Sequence, residues 1–277
     1  MKKITRLIAT ILTLSILIPT VVACNSTPPP SNLGGDTSLE SSDTTITVPD
    51  ETPPLETPTP PTPPKVESVQ YLQCNGNNVY FRTGAGTSFA SVGVAQKGET
   101  YAVVGKSGNW YETYYRGKKV YISASYVSLL SLKKHDNDRV ENVLQEGYKL
   151  LGVPYVYGAV RFHDGKGNLL GGFNAQKFDC SSLVQYVFYK GAKTVLDVTT
   201  RTQVVQGKYV HPNDLQRGDC MYFTNESRKH LTGVQRVGHV AIYLGDNYIL
   251  HTASDYARIE KISSTRWGYF LEARRFT

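Results

Sequence analysis

Eleven of the chain's 14 prolines fall between Pro28 and Pro64, mixed with Thr, Ser, Asp and Glu. From Asn25 to Lys65 there is almost nothing apolar to bury. Such a stretch cannot offset the entropy of folding and reads as a disordered linker. Whatever globular structure this 277-residue chain forms must therefore be built from residue 66 onward. In polyproline II geometry, at about 3.1 Å per residue, roughly 40 linker residues reach about 120 Å, enough to lift a head well away from a surface.

Ahead of the linker, Lys2, Lys3 and Arg6 precede an apolar run from Leu7 to Val22. This is the basic n-region and short h-region of a signal peptide. Thr10, Thr13, Ser15, Pro19 and Thr20 interrupt the run and make it a poor permanent span. It ends in Val21-Val22-Ala23-Cys24, which resembles a bacterial lipobox, with Val21 where Leu is more usual. The resemblance implies cleavage just before Cys24 and diacylation of its thiol, and two acyl chains give stable membrane attachment. Residues 1–23 are thus expected to be a lipoprotein signal peptide, and 24–65 a lipidated cysteine with its tether.

The net charge of +7 is unevenly spread. Residues 1–65 carry four cations against six acids, and residues 66–277 carry 26 against 17. A basic head on an exported chain points to anionic wall polymers or lipid headgroups, not to nucleic acid. Four cysteines in unlike contexts do not make a disulfide framework.

Residues 66–132 read as short strands between glycine turns. Asn78-Val79-Tyr80-Phe81-Arg82 alternates before Thr83-Gly84-Ala85-Gly86-Thr87. Ser107-Gly108-Asn109 leads into Trp110-Tyr111-Glu112-Thr113-Tyr114, and Arg116-Gly117-Lys118 turns into Val120-Tyr121-Ile122. Strands so short and closely spaced predict a small barrel, and their order resembles a bacterial SH3-like domain. That resemblance implies wall-peptide binding or support of a neighbouring catalytic domain. Only a few residues, Val127 to Lys134, precede a helix expected near Asp138, so the two parts should pack together and the module should restrict substrates.

Phe178-Asp179-Cys180-Ser181-Ser182 is followed by Leu183, Val184, Val187 and Phe188 at helical spacing. Asp179 is a good N-cap, which puts Cys180 at the first helical position. A helix start favours a thiolate, the nucleophilic form of cysteine, and predicts a depressed thiol pKa. Gly238-His239-Val240-Ala241-Ile242-Tyr243-Leu244-Gly245 reads as a strand, Asp246-Asn247 as a turn, and Tyr248-Ile249-Leu250-His251 as the return. Equal parity puts His239 and His251 on one face of that hairpin. A cysteine at a helix start, a histidine on a facing strand and a polar orienter beside it form the papain-like arrangement. His239 takes the thiol proton, His251 orients the ring of His239, and backbone N–H groups at the helix start stabilise the oxyanion. Zinc would want three or four ligands, commonly in close pairs, and the sequence holds no such pair. Cys74 reads as a small strand residue, Cys220 as a buried, inert thiol, and His135, His163, His211 and His230 as solvated.

These segments resemble the NlpC-type papain-like peptidases of bacterial cell walls. Further matches are Gly152-Val153-Pro154-Tyr155-Val156-Tyr157-Gly158, Arg201-Thr202 with Gln206, Asp214-Leu215-Gln216-Arg217-Gly218-Asp219, and Ala273-Arg274-Arg275. The departures are Ala159 and Ser182 where the family usually has Gly, and the long stretch Arg161 to Lys177, which reads as an exposed loop beside the cleft. The resemblance implies an α+β fold for residues 133–277, an antiparallel sheet with a catalytic helix, and catalysis by Cys180, His239 and His251. It places Tyr155, Asp179 and Ser181 at the substrate and requires no cofactor or metal. It implies a monomeric hydrolase of amide bonds in peptidoglycan stem peptides, typically between the γ-carboxyl of D-Glu and a diamino acid. A muramoyl-alanine amidase, a cross-bridge endopeptidase or an acyltransferase on the same scaffold is the alternative. A non-catalytic wall-binding lipoprotein would not need the intact Cys180, His239 and His251.

Overall fold

The computed structural model describes residues 66–277. The expected signal peptide, Cys24 and the tether lie outside the described residues. Among the described residues no helix is long and apolar enough to cross a membrane.

The first half supplies β1 (Ser68–Cys74), β2 (Val79–Arg82), β3 (Ser91–Ala95), β4 (Thr100–Ala102), β5 (Gly105–Ser107), β6 (Trp110–Tyr115), β7 (Lys118–Ser123) and β8 (Val127–Lys133). The second half begins with α1 (Asp138–Tyr148), α2 (Cys180–Ala192) and α3 (Thr200–Gln203). It continues through β9 (Lys208–Val210), β10 (Cys220–Phe223), β11 (His239–Gly245), β12 (Tyr248–Ala253), β13 (Tyr256–Lys261), α4 (Ser264–Gly268) and β14 (Phe270–Arg275). Strands β3-β2-β7-β6-β5 form one antiparallel sheet. The remaining three strands of the first half do not stay with them. They extend the second half's sheet, whose order is β8-β1-β4-β13-β12-β11-β10-β14-β9, through a bridge between Thr100 and Ile259.

Buried groups fasten the halves together. Tyr71 on β1 and Tyr148 on α1 meet hydroxyl to hydroxyl at 2.5 Å. Arg217 donates to Tyr148 Oη at 2.8 Å, to both Glu141 oxygens at 2.7 and 3.0 Å, and to the Leu244 carbonyl at 2.9 Å. Breaking a buried pair such as Arg217–Glu141 typically costs ~3–5 kcal/mol, because the remaining charge is stranded. The β6–β7 turn adds backbone bonds from Arg116 N to Leu151 O and from Gly117 N to Lys149 O. Gly152 lies beneath that turn at φ +80°, where a Cβ would come within 2.4 Å of the Tyr115 ring, so glycine is required there.

Helix α2 carries the cysteine and is fixed by its apolar side. Leu183, Val184, Val187 and Phe188 are fully buried, each contributing about 1.5–3 kcal/mol. Helices α1 and α2 cross closely at Gly191, where a Cβ would sit 2.4 Å from the Val143 nitrogen. Two of the sequence motifs turn out to be structural fasteners. Arg275 donates to both carboxylate oxygens of Asp219 at 2.7 and 2.8 Å, closing β14 over the turn before β10.

The stretch 161–177 is a loop, as expected, with residues 168–172 exposed, but its two ends are anchored. Phe162 packs against Phe173, Tyr186 and Tyr189, and Phe173 stacks on Tyr186, so this segment lies on the outer face of α2. His163 belongs to the same cluster and is fully buried, contrary to its expected solvation. Its polar neighbours in sequence concealed a ring enclosed by aromatics.

Candidate active site

Helix α2 begins with a capping box. Asp179 Oδ1 accepts the Ser182 N–H at 2.8 Å, and Ser182 Oγ accepts the Asp179 N–H at 2.9 Å. Cys180 is therefore held at the first helical position, almost completely buried. The backbone N–H groups of Val240, the neighbour of His239 on β11, and of Ser181 favour its thiolate. Burial foremost, then the Asp179 charge, pushes the thiol up to about 11 despite those two donors. The depressed thiol expected from the helix start is thus not intrinsic to the buried sulfur. A thiolate at neutral pH has to form together with an imidazolium.

The hairpin β11–β12 turns through Asp246 and Asn247, both at positive φ. His239 Nε2 and His251 Nδ1 are 2.9 Å apart, with the rings nearly perpendicular. Burial first, then the neighbouring His251 and Arg266, hold the His239 imidazole well below its ordinary value. His251 is also lowered by burial, while Glu260 opposes that shift. Burial alone would raise the Glu260 carboxyl, but contact with His251 and Arg266 holds it at about 2.

Tyr155, Cys180 and His239 line one cleft of about 430 Å³, together with Phe223, Arg266 and Tyr269. Local pairing brings Tyr155 there. Val156 N donates to Phe178 O, Phe178 N donates to Pro154 O, and Tyr155 N donates to Asp255 O. Burial, then the nearby Cys180 and Asp179, push the Tyr155 hydroxyl up to about 12. Asp179 and Ser181 are different. Each is 4% exposed and neither lines the cleft. Asp179 is occupied by Ser181, Ser182, Gly158 N at 3.2 Å and Arg161 Nη1 at 2.8 Å. The polar atoms of both residues, expected at the substrate, face protein partners. No residue of 66–132 lines this cleft.

Sequence reasoning missed Glu260, Arg266 and Arg161. Arg266 donates to Glu260 Oε1 at 2.7 Å, and Glu260 Oε1 lies 3.2 Å from His251 Nε2. Of the remaining thiols, Cys220 is fully buried and pushed up by burial, and Cys74 is buried with its thiol donating to Gly76 O at 3.2 Å. Among the described residues no cluster of three or more His, Cys, Asp and Glu side chains is placed to hold a metal.

Comparisons with known proteins bear on both halves. The NlpC/P60 family model matches residues 152–275, and the bacterial SH3 domain model matches residues 77–128. The gamma-DL-glutamyl hydrolase of Bacillus subtilis (strain 168) is 30% identical over 151 residues, 54% of this chain and 32% of that protein. The gamma-D-glutamyl-L-lysine dipeptidyl-peptidase of the same organism is 28% identical over 132 residues, 48% and 38% of the two chains. Peptidoglycan endopeptidase RipB of Mycobacterium tuberculosis is 27% identical over 120 residues, 43% and 46%. The chain thus spans between about a third and a half of the length of these relatives. Among solved structures, an NLP/P60 family protein of Staphylococcus aureus subsp. aureus Mu50, described as similar to lipoprotein, aligns with a TM-score of 0.41. Its identity is 27%, over 55% of this chain and 46% of that one.

Proposed function

Because this chain carries an NlpC/P60 domain behind a bacterial SH3 domain, we propose that it is a cysteine peptidase cleaving amide bonds in peptidoglycan stem peptides. The observation that carries this reading is the Cys180 sulfur at a capped helix start. The backbone of Ser181 and Val240 favours its thiolate, and it lines the same cleft as a His239 ring that meets His251 at 2.9 Å.

In this mechanism His239 accepts the Cys180 proton as the sulfur attacks the scissile carbonyl carbon. The burial that raises the thiol and lowers the imidazole keeps both groups neutral at rest. The ion pair forms by internal transfer, with no net charge brought into the site. The N–H groups of the first turn of α2 have no intrahelical acceptor by position, and that of Cys180 faces the developing oxyanion. Imidazolium then protonates the leaving amine, and the resulting thioester is hydrolysed by water that His239 deprotonates. General acid–base transfer of this kind contributes about 10²–10⁴-fold and oxyanion donors about 10²–10³-fold. Tyr155 contacts the substrate from the cleft wall. Asp179 and Ser181 act through the helix start they build.

The bond cleaved is the one joining the γ-carboxyl of D-Glu to the diamino acid. Its support is the γ-glutamyl specificity in the names of two of the relatives. The enzyme works outside the cytoplasm, held to the membrane by lipid on Cys24 and reaching the wall on its proline-rich tether. Incubating the full chain with purified sacculi and analysing the products by mass spectrometry tests this reading. The expected products carry a new free amine on the diamino acid and leave a stub ending in D-Glu on the muramic acid. Release of the whole stem peptide from muramic acid, or cleavage confined to cross-bridges, would refute the bond assignment.

A further inference from the structure

We infer that Glu260 is a positioning residue that fixes the direction of every hydrogen bond in the His251–His239 pair and so leaves Nδ1 of His239 free to act as the base. The inference rests on the proposed Cys180–His239 chemistry and adds a residue that neither the sequence motifs nor the comparisons point to.

The argument is one of proton count. His251 is buried, its side chain 1% exposed, so the protein groups facing its ring nitrogens, and not water, decide which of them carries the proton. Nδ1 faces His239 Nε2 at 2.9 Å. Nε2 lies 3.2 Å from Glu260 Oε1, a charge contact without hydrogen-bond alignment, and makes no hydrogen bond among the described residues. A carboxylate can only accept, so Nε2 of His251 carries the proton. A neutral imidazole has one N–H, hence Nδ1 of His251 accepts. Nε2 of His239 must then donate, and its Nδ1 keeps a lone pair for the thiol proton. In the reverse arrangement His251 Nδ1–H donates to His239, the lone pair on Nε2 opposes the carboxylate, and Nδ1 of His239 already bears a hydrogen. That ring cannot accept the thiol proton at Nδ1.

The surroundings keep Glu260 in this role. Across β12–β13, His251 lies directly opposite Arg258, and Glu260 is the diagonal neighbour, opposite Ile249. Arg258 is drawn away, paired with Asp255 and stacked on the Tyr256 ring. Arg266, on α4, donates to the same Glu260 oxygen at 2.7 Å and keeps it ionised. The charged and titratable groups around His251 are therefore His239 on β11, Glu260 and Arg258 on β13, and Arg266 on α4. Of these, Glu260 is the one that favours an imidazolium. Removing its charge makes the imidazolium less stable, so the acid limb of kcat/KM, where protonation removes the neutral His239 base, should move to lower pH.

The test uses the full chain and its Glu260→Gln variant, with Glu260→Asp as a second variant that keeps the charge. Glu260→Gln should lower kcat by about 10- to 100-fold with little change in KM. This is short of the ~10⁴-fold loss typical when the group directly behind the base imposes the wrong tautomer. Histidine ¹⁵N shifts should report the Nε2–H tautomer of His239 in the wild type, a mixture in Glu260→Gln, and the wild-type pattern in Glu260→Asp. In a His251→Asn background, where the relay is gone, Glu260→Gln should change kcat by less than about twofold. An unchanged His239 tautomer in Glu260→Gln, or an equal loss in both backgrounds, overturns the inference. If the wild type cleaves no muropeptide, the ¹⁵N shifts still read the tautomer, so failure of the functional reading and failure of this inference remain distinguishable.

Discussion

Cys180 and Cys220 are both buried thiols, and burial pushes both of them up. Their surroundings nevertheless give them opposite prospects. Cys220 sits within β10, fully enclosed, paired across strands with Ile242 and Arg274 and meeting only the added charge of Asp219. Cys180 stands at a helix start, where the backbone of Ser181 and Val240 favours its thiolate and an imidazole shares its cleft. Depth of burial does not separate a reactive cysteine from an inert one. The difference is whether a proton acceptor and charge-stabilising donors were placed at the sulfur before any substrate arrives.

Exchanging each sulfur in turn gives the largest contrast. Cys180→Ala should lose at least about 10⁴-fold in kcat/KM while keeping the fold. Cys220→Ala should keep activity within about twofold and lose ~1–2 kcal/mol of stability, the cost of a small cavity in the sheet. Steady-state kinetics with thermal melts on both variants reads this. Full hydrolysis by Cys180→Ala would move the nucleophile elsewhere.

The next contrast separates the proton acceptor from its support. His239→Ala should lose about 10³-fold or more, because that ring moves a proton in both half-reactions. His251→Asn should keep measurable activity, since an amide oxygen can still accept from His239 Nε2. Alkylation of the thiols needs no substrate and reads the same difference. Wild-type Cys180 should react with iodoacetamide near neutral pH through its ion pair with His239. In His239→Ala the buried thiol has lost its proton acceptor, so its reaction should shift to strongly alkaline pH. Cys220 should stay unlabelled in both. Labelling that falls mainly on Cys220 would invert the comparison.

How much of this was legible beforehand follows from the range of each signal. Asp179, Cys180, His239 and His251 were readable because an N-cap and a hairpin's parity are local rules. Glu260 was not. Arg258-Ile259-Glu260-Lys261 reads as an ordinary strand with alternating charges, and only the β12–β13 register brings the third of these residues to His251. Arg161 was hidden in a stretch rich in Gly and Asn whose packing depends on Phe162 and Phe173 meeting α2. The first half's strands were recognisable as strands. That β1, β4 and β8 would extend the neighbouring sheet was not, since alternation along a strand does not name its partner.

The smallest expected effect concerns stability and pH. Both imidazoles are held below their ordinary value of 6.5 in the folded chain, by burial first. Between that value and the lower folded one, the unfolded chain binds protons that the folded chain refuses, so stability rises with pH across the window. The contribution is complete above about pH 6.5 and is lost as the solution is acidified toward the folded values. Glu260, held at about 2, stays ionised throughout and does not confuse the reading. Asparagine does not titrate, so His251→Asn should show a shallower loss of stability than the wild type between pH 7 and pH 5. Urea unfolding at several pH values measures both slopes. Equal slopes would mean that His251 is not held neutral by its surroundings. The contrast with Cys180 would then rest on His239 alone.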